Sequence, residues 1–577
     1  MKITSTRRLF LQGTAITGVA AAVAGCSQKS AEEQKDANKK KNDAAAKEAE
    51  KLPSTAWDRL DYEQVADGGT LMIALGQIPA NWNPSHIDGN EVSTRQVSEW
   101  KGFGANIKAD EKGAMSPNPD YVESAEITSE DPQIVTVKFN KKAVWDNDGS
   151  PVTVNDLIAE WKACNGENEE FSAVTTQGWD SIKEIRAKDD FTAEIEYKTA
   201  FPDWLSFTYP SGPKALFETP QAFNTGYVND PVPGCGPFKI ANIDRNGGVV
   251  TLERNDKWWG RAPKLEKVIF KVTTQQNMPQ SFANGEIDII DIADGDTLGQ
   301  AKGRKGAQIQ RSNGLTWTHL TMNVNGGGGV LEDVEVRKAI FAAVDRNAVG
   351  RSVVEPLEAP VVLKDNYVYM PGQEGYEDSF DGELSGDAET DKAKKILEDA
   401  GYELKGDVYE KGGKPLKFSI VIPAETKSNE DRARQVMTNL NQAGFKVDLK
   451  TVPSDKYFTD YILKQSFEFA TFSWVGTLLA ELSSSNTYLP DSNQNYTGFK
   501  DEKLNEINKR LQTELDKDKR REIANEYSKQ VASSYTVLPF YATPNITGLK
   551  EGLVNIGSQQ FETVDYTAVG YKKGMEG

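Results

Sequence analysis

Histidine and cysteine are the scarce residues of this sequence: 577 residues carry 2 His and 3 Cys. That leaves little material for a His-rich metal site or an imidazole-based triad, so no metal and no cofactor are expected. Positive charge is short as well. Against 86 Asp and Glu stand 67 Lys and Arg, a formal net charge of −19. Such a chain is a poor partner for nucleic acid or an anionic membrane surface. Long apolar runs are also missing. The Ala/Gly/Val-rich run at 15–24 is too short to cross a bilayer, and no other segment is apolar enough. What remains is length, enough for several domains or one large multilobed fold with ample core.

The first 51 residues read as an address. Lys2, Arg7 and Arg8 precede the apolar run, which ends Val23-Ala24-Gly25-Cys26. This resembles a bacterial lipobox, with Cys26 as the acylated first residue after cleavage. Thr6-Arg7-Arg8-Leu9-Phe10-Leu11-Gln12 resembles a twin-arginine export motif; an ordinary charged leader is the alternative. Loss of residues 1–25 removes three positive charges and takes −19 to −22. Residues 27–51 are polar, low in complexity and without an aromatic, as in a tether.

The chain is organised around 231–260. Pro233, Gly234, Gly236 and Pro237 predict a turn. Phe238, Ile240 and Ile243 lead into Asn246-Gly247-Gly248, a strong hairpin signal, and 249–254 returns. Asn255 and Trp258-Trp259-Gly260 follow. Gly-x-Gly-Pro-Phe, a hairpin, then Leu-x-Arg-Asn-x-x-Trp-Trp resembles the signature of the family 5 extracellular solute-binding proteins, receptors of ABC importers for oligopeptides, dipeptides and nickel. Further pieces resemble the family in order. Gly69-Thr70-Leu71 opens a strand followed by an Asn83-Pro84 loop. Trp145 to Asp156 resembles the family's Trp-x-Asp-Gly-x-Pro element with one residue inserted. Gly285-Glu286-Ile287-Asp288 follows, then a strand 316–325 that resembles the family strand ending in Asn, then Val336-Arg337-Lys338-Ala339-Ile340 through Asp345-Arg346 as one helix. Gly326 to Gly329 lacks a following Gly-Lys-Ser/Thr and is no phosphate loop. Strand 416–421, helix 429–443 stopped by Gly444, and strand 446–451 form a β-α-β unit with parallel strands. Helix 153–161 is expected to be capped by Thr153 and Asp156.

The resemblance implies an α/β fold of the type II periplasmic-binding-protein kind (cluster C), with two main lobes, an extra subdomain and a ligand cleft between the lobes. It divides the chain into a signal peptide 1–25, a tether 26–66, lobe I from 67–90, 232–312 and 546–577, the extra subdomain 91–231, and lobe II 313–545. It implies a monomeric, non-enzymatic receptor, lipid-anchored on the outer face of the membrane, that passes an oligopeptide or other small organic solute to importer permease and ATPase subunits. A non-transport envelope lipoprotein of the glycolipid-pathway type on the same fold is the alternative. Loops at the carboxyl ends of strands place Asn81, Trp82 and Asn83 at the cleft rim on one side. Asn323, Trp474, Val475, Gly476 and Glu481 are expected on the other. A structural turn and packed tryptophans are the competing reading. Family peptide receptors often carry Trp-x-x-Asp at this second site, with the Asp holding a peptide ammonium. Here Thr477 takes that place, and Glu481 is the nearest acid. Neither His86 nor His319 lies in a recognisable nucleophile motif, which sets a tethered hydrolase aside. Outside the cell the even pair Cys164 and Cys235 favours a disulfide, two buried thiols being the alternative.

Overall fold

The structure, a computed structural model, describes residues 52–484 and 486–576. Cys26, residues 1–25 and most of the expected tether lie outside them. Three sheets carry the fold. The first has seven strands in the order Gln308–Ser312, Asn545–Leu549, Ile289–Asp291, Thr70–Leu75, Lys267–Val272, Val249–Arg254 and Phe238–Asp244. Thr70–Leu75 is central and parallel to both neighbours. Leu71, Leu75, Phe238, Val250, Leu252, Val268 and Phe270 form its core.

The hairpin at its edge forms where Asn246-Gly247-Gly248 predicts it. The Asp244 carboxylate accepts from the Asn246 and Gly247 amides at 3.1 and 2.8 Å, and Gly248 has φ 66°. The preceding Gly-Cys-Gly-Pro run owes its glycines to close approach. A Cβ on Gly236 would stand 2.3 Å from the Lys101 carbonyl carbon and 2.4 Å from the Gly102 nitrogen, so only glycine fits.

A four-stranded antiparallel sheet follows, Val122–Glu130, Gln133–Phe139, Thr192–Tyr197 and Ile182–Asp189 in that order. Helix Val154–Cys164 packs Val154 and Leu157 with its core. The capping box holds as expected, with the Thr153 amide donating to Asp156 at 2.7 Å.

The third sheet has six strands, in the order Val362–Leu363, Val537–Ala542, Thr316–Met322, Phe469–Val475, Lys417–Pro423 and Lys446–Val452. The β-α-β unit is there: Lys417–Pro423 and Lys446–Val452 run parallel and are joined by helix Lys427–Gln442. The helix expected from Glu335 through Arg346 is instead two. Val334–Ala343 ends at Val344, and Asp345 caps Arg346–Val354 by accepting from the Ala348 amide at 2.6 Å.

Two further expectations are corrected. The tether does not extend to 66. Ala56 donates to the Ser558 carbonyl at 2.9 Å, Val65 bridges Lys572, and Val65 and Ala66 are buried. Cys164 and Cys235 form no disulfide. Cys164 packs among Ala163, Leu216, Phe217 and Phe223, whereas Cys235 belongs to the cluster of Tyr121, Trp145 and Tyr209. Burial pushes the Cys235 thiol up to about 12, which keeps it protonated and unreactive.

Candidate functional site

The end of strand Phe469–Val475 carries a ladder of rings. Trp474 lies opposite Trp317 in the antiparallel register. It stacks on Tyr496 at 6.0 Å with ring planes 8° apart, and on His319 at 6.3 Å and 19°, while Phe472 meets it edge-on. Trp474 is half-buried by these contacts, and Val475 beyond it is 66% exposed. The Gly476 amide donates to the Leu315 carbonyl at 2.8 Å, and a Cβ there would stand 2.4 Å from Met370 Cγ. His319 is buried, and desolvation, helped by the charge of Arg432, lowers its pKa to about 3, so it stays neutral.

Five residues further on, Glu481 sits on the short helix Ala480–Ser484 and accepts from the Tyr369 hydroxyl at 2.9 Å. Burial, then the Glu481 charge, holds the Tyr369 phenol far above its ordinary range, so it remains a donor. Both residues line an open cavity of about 150 Å³. One wall comes from Lys112 to Met115 and Pro202 to Leu205, beside the four-stranded sheet. The other comes from Tyr369, Gln373, Leu478, Glu481, Arg520 and Arg521, around the six-stranded sheet. Across it Arg520 gives two hydrogen bonds to Asp203, at 2.9 and 2.6 Å, with both side chains over nine-tenths buried. Arg521 pairs with Glu374 at 2.7 Å. Gln373 donates to the Thr477 carbonyl at 3.2 Å, so the position that lacks the family Asp contributes backbone. A cavity lined by apolar Trp204, Leu478 and Met115 beside charges of both signs suits a small amphoteric solute.

The other expected rim residues are occupied elsewhere. Asn81 donates to the Asn224 carbonyl at 2.9 Å and accepts from the Asn83 amide at 3.0 Å; Asn83 donates to the Phe223 carbonyl at 3.0 Å. Trp82 is in the core of the seven-stranded sheet. All three are buried and brace the loop. Asn323 donates to the carbonyls of Gln465 and Phe467 at 2.8 and 3.1 Å. The antiparallel register pairs Met322 with Phe469 and Trp317 with Trp474, so Asn323 stands at the far end of the strand pair from Trp474. Asp203, Tyr369 and Arg520 escaped the sequence reading. Phe201-Pro202-Asp203-Trp204 resembles a turn, and Lys517-Asp518-Lys519-Arg520-Arg521 an exposed helix face.

Relatives fit this architecture. The oligopeptide-binding protein OppA of Mycobacterium tuberculosis (strain ATCC 25618 / H37Rv) is 29% identical over 517 residues, 89% of this chain and 86% of that protein. The solved structure of the periplasmic EDTA-binding protein EppA, 25% identical, covers 90% of this chain and 99% of its own with a TM-score of 0.76. The oligopeptide-binding protein AppA of Bacillus subtilis, solved with a nonapeptide, is 19% identical, covers 88% and 100%, has a TM-score of 0.65, and speaks for the fold alone. The fold is that of the type II periplasmic binding proteins. The pattern described as bacterial extracellular solute-binding proteins, family 5 middle, matches residues 116–496, and the chain belongs to that family.

Proposed function

We propose that this chain is a receptor that encloses an oligopeptide or another small organic solute and delivers it to an ABC importer. The cavity crossed by the Asp203–Arg520 pair carries the reading, because its walls come from parts of the chain that belong to different sheets. In this reading 67–90, 232–312 and 546–577 make lobe I about the seven-stranded sheet, 91–231 is the extra subdomain, and 313–545 is lobe II. Hinge closure brings the walls together. Trp474, Val475, Gly476 and Glu481 are the ligand contacts retained from the sequence; Tyr369 joins them. No catalysis is involved. The hydroxyl–imidazole pair of Thr321 and His319, 3.0 Å apart, is buried in the six-stranded sheet. Acylation at Cys26 would hold the receptor at the outer membrane face, as the Val23-Ala24-Gly25-Cys26 run supports.

Ligand release tests the reading. Natively purified protein, denatured and analysed by mass spectrometry, should yield a near-stoichiometric set of short peptides or one related solute. Adding that solute back at a hundred times its Kd should raise stability by ~2.7 kcal/mol. Protein that yields no solute and gains no stability from a peptide mixture overturns the proposal.

A further inference from the structure

Strand Lys417–Pro423 lies between Lys446–Val452 and Phe469–Val475 and is parallel to both. The chain leaves it through helix Lys427–Gln442 to reach one neighbour, then crosses back through 453–468 to reach the other. The two connections cover opposite faces. Ile420 and Ile422 pack with Ala433 and Val436 of the helix, whereas Val421 packs with Tyr457 and Ile462. That makes the gap between Lys417–Pro423 and Phe469–Val475 a topological switch point, where open α/β sheets bind ligands at carboxyl ends. Pairing across the gap stops at Val421 and Ala470. The Thr471 carbonyl, released from the ladder, accepts instead from Asn429 at 2.7 Å and Tyr457 at 3.0 Å.

The helix that covers one face of this gap carries a group the fold does not satisfy. Arg432 is 7% exposed, and among the described residues it has no acidic partner and no hydrogen bond at Nε. Asn429 Oδ1, Thr471 Oγ1 and His319 Nε2 are likewise buried without partners among the described residues. An arginine side chain this far buried, with Nε unpartnered and no counterion, is costly, and so are orphaned polar atoms. His319 is neutral and stacks on Trp474, which ties Arg432 to the proposed ligand contacts. We propose that Arg432 is a ligand-binding residue whose missing counterion is a carboxylate of the bound solute. The inference rests on the receptor reading and narrows it: the solute is held by an anionic end, in a protein where Thr477 replaces the acid that would hold an ammonium.

The test uses the whole mature protein and two random pentapeptide libraries, one with free carboxyl termini and one amidated. Wild type should retain the free-acid library at least tenfold more strongly. Arg432→Gln should remove that preference without weakening amide binding, and Arg432→Lys should keep part of it. Because the variant relieves an unpaired buried charge, the melting temperature of ligand-free Arg432→Gln should match or exceed wild type. Equal retention of both libraries by wild type overturns the inference and leaves the receptor reading standing. Equal loss of both by Arg432→Gln together with a lowered melting temperature assigns Arg432 a structural role and also overturns it. Failure of wild type to bind either library overturns the peptide reading, and this inference with it. Should Arg432→Gln not fold, the wild-type preference and its reduction in Arg432→Lys still decide.

Discussion

Glu160 shows how a single side chain can escape pattern reading. It lies on helix Val154–Cys164, where a lone Glu ordinarily faces water, yet it is 3% exposed. Ser211 supplies both its amide, at 2.8 Å, and its hydroxyl, at 2.6 Å. Desolvation outweighs these bonds and raises the carboxyl from 4.5 to about 7. The folded protein therefore keeps this proton when the unfolded chain has lost it. The stability this contributes is full below pH 4.5 and is lost as pH rises to about 7. Glu160→Gln, which cannot ionise, should escape the loss. Its stability relative to wild type should climb by roughly 3 kcal/mol between pH 4.5 and 7 and then level off. Urea unfolding of both proteins across that range checks it, and a difference that does not change with pH would refute the assignment.

At the scale of elements, the legible parts were those whose causes are local. The Asn246-Gly247-Gly248 turn, the Thr153–Asp156 cap and the Gly444 stop each act within a few residues, and each is where the sequence puts it. The Asp345 break was also local, but apolar periodicity running through Val344 masked it. The strap at 52–66 was illegible for a different reason. Its partners, Gln559 and Lys572, come some 500 residues later, and the polar stretch before it invites one tether across both. Its buried residues should matter. A chain beginning at Asp67 should be less stable to urea than one beginning at Leu52 by at least ~2 kcal/mol, the order expected for losing the burial of Val65 and Ala66. The exposed Arg59–Glu111 contact should add little. Equal midpoints for the two chains would show that the strap is not part of the folded unit.

The same distance problem explains the site. Glu481 could be anticipated because it follows a recognisable Trp474, but Asp203 and Arg520 are 317 residues apart, and only the folded chain makes them partners. Their pair also separates two views of the whole molecule. If the walls of the cavity close on a ligand, the pair belongs to the closed state, and in the open state both charges are in water. Breaking it should then act on binding. Asp203→Asn leaves a buried Arg520 without its counterion only when the lobes meet, at the ~3 kcal/mol or more that such a loss costs. Affinity for the native solute should fall by roughly 100-fold, through faster dissociation, while the ligand-free melting temperature stays within about two degrees. Small-angle scattering of the variant with solute should show a larger radius of gyration than wild type, because its open form is more populated. If instead the pair is a permanent weld between the four-stranded and six-stranded parts, Asp203→Asn lowers the ligand-free melting temperature by several degrees and scattering shows no dependence on solute in either protein. The two outcomes differ in ligand-free melting temperature and in the solute dependence of scattering, so one set of measurements decides whether this interface moves.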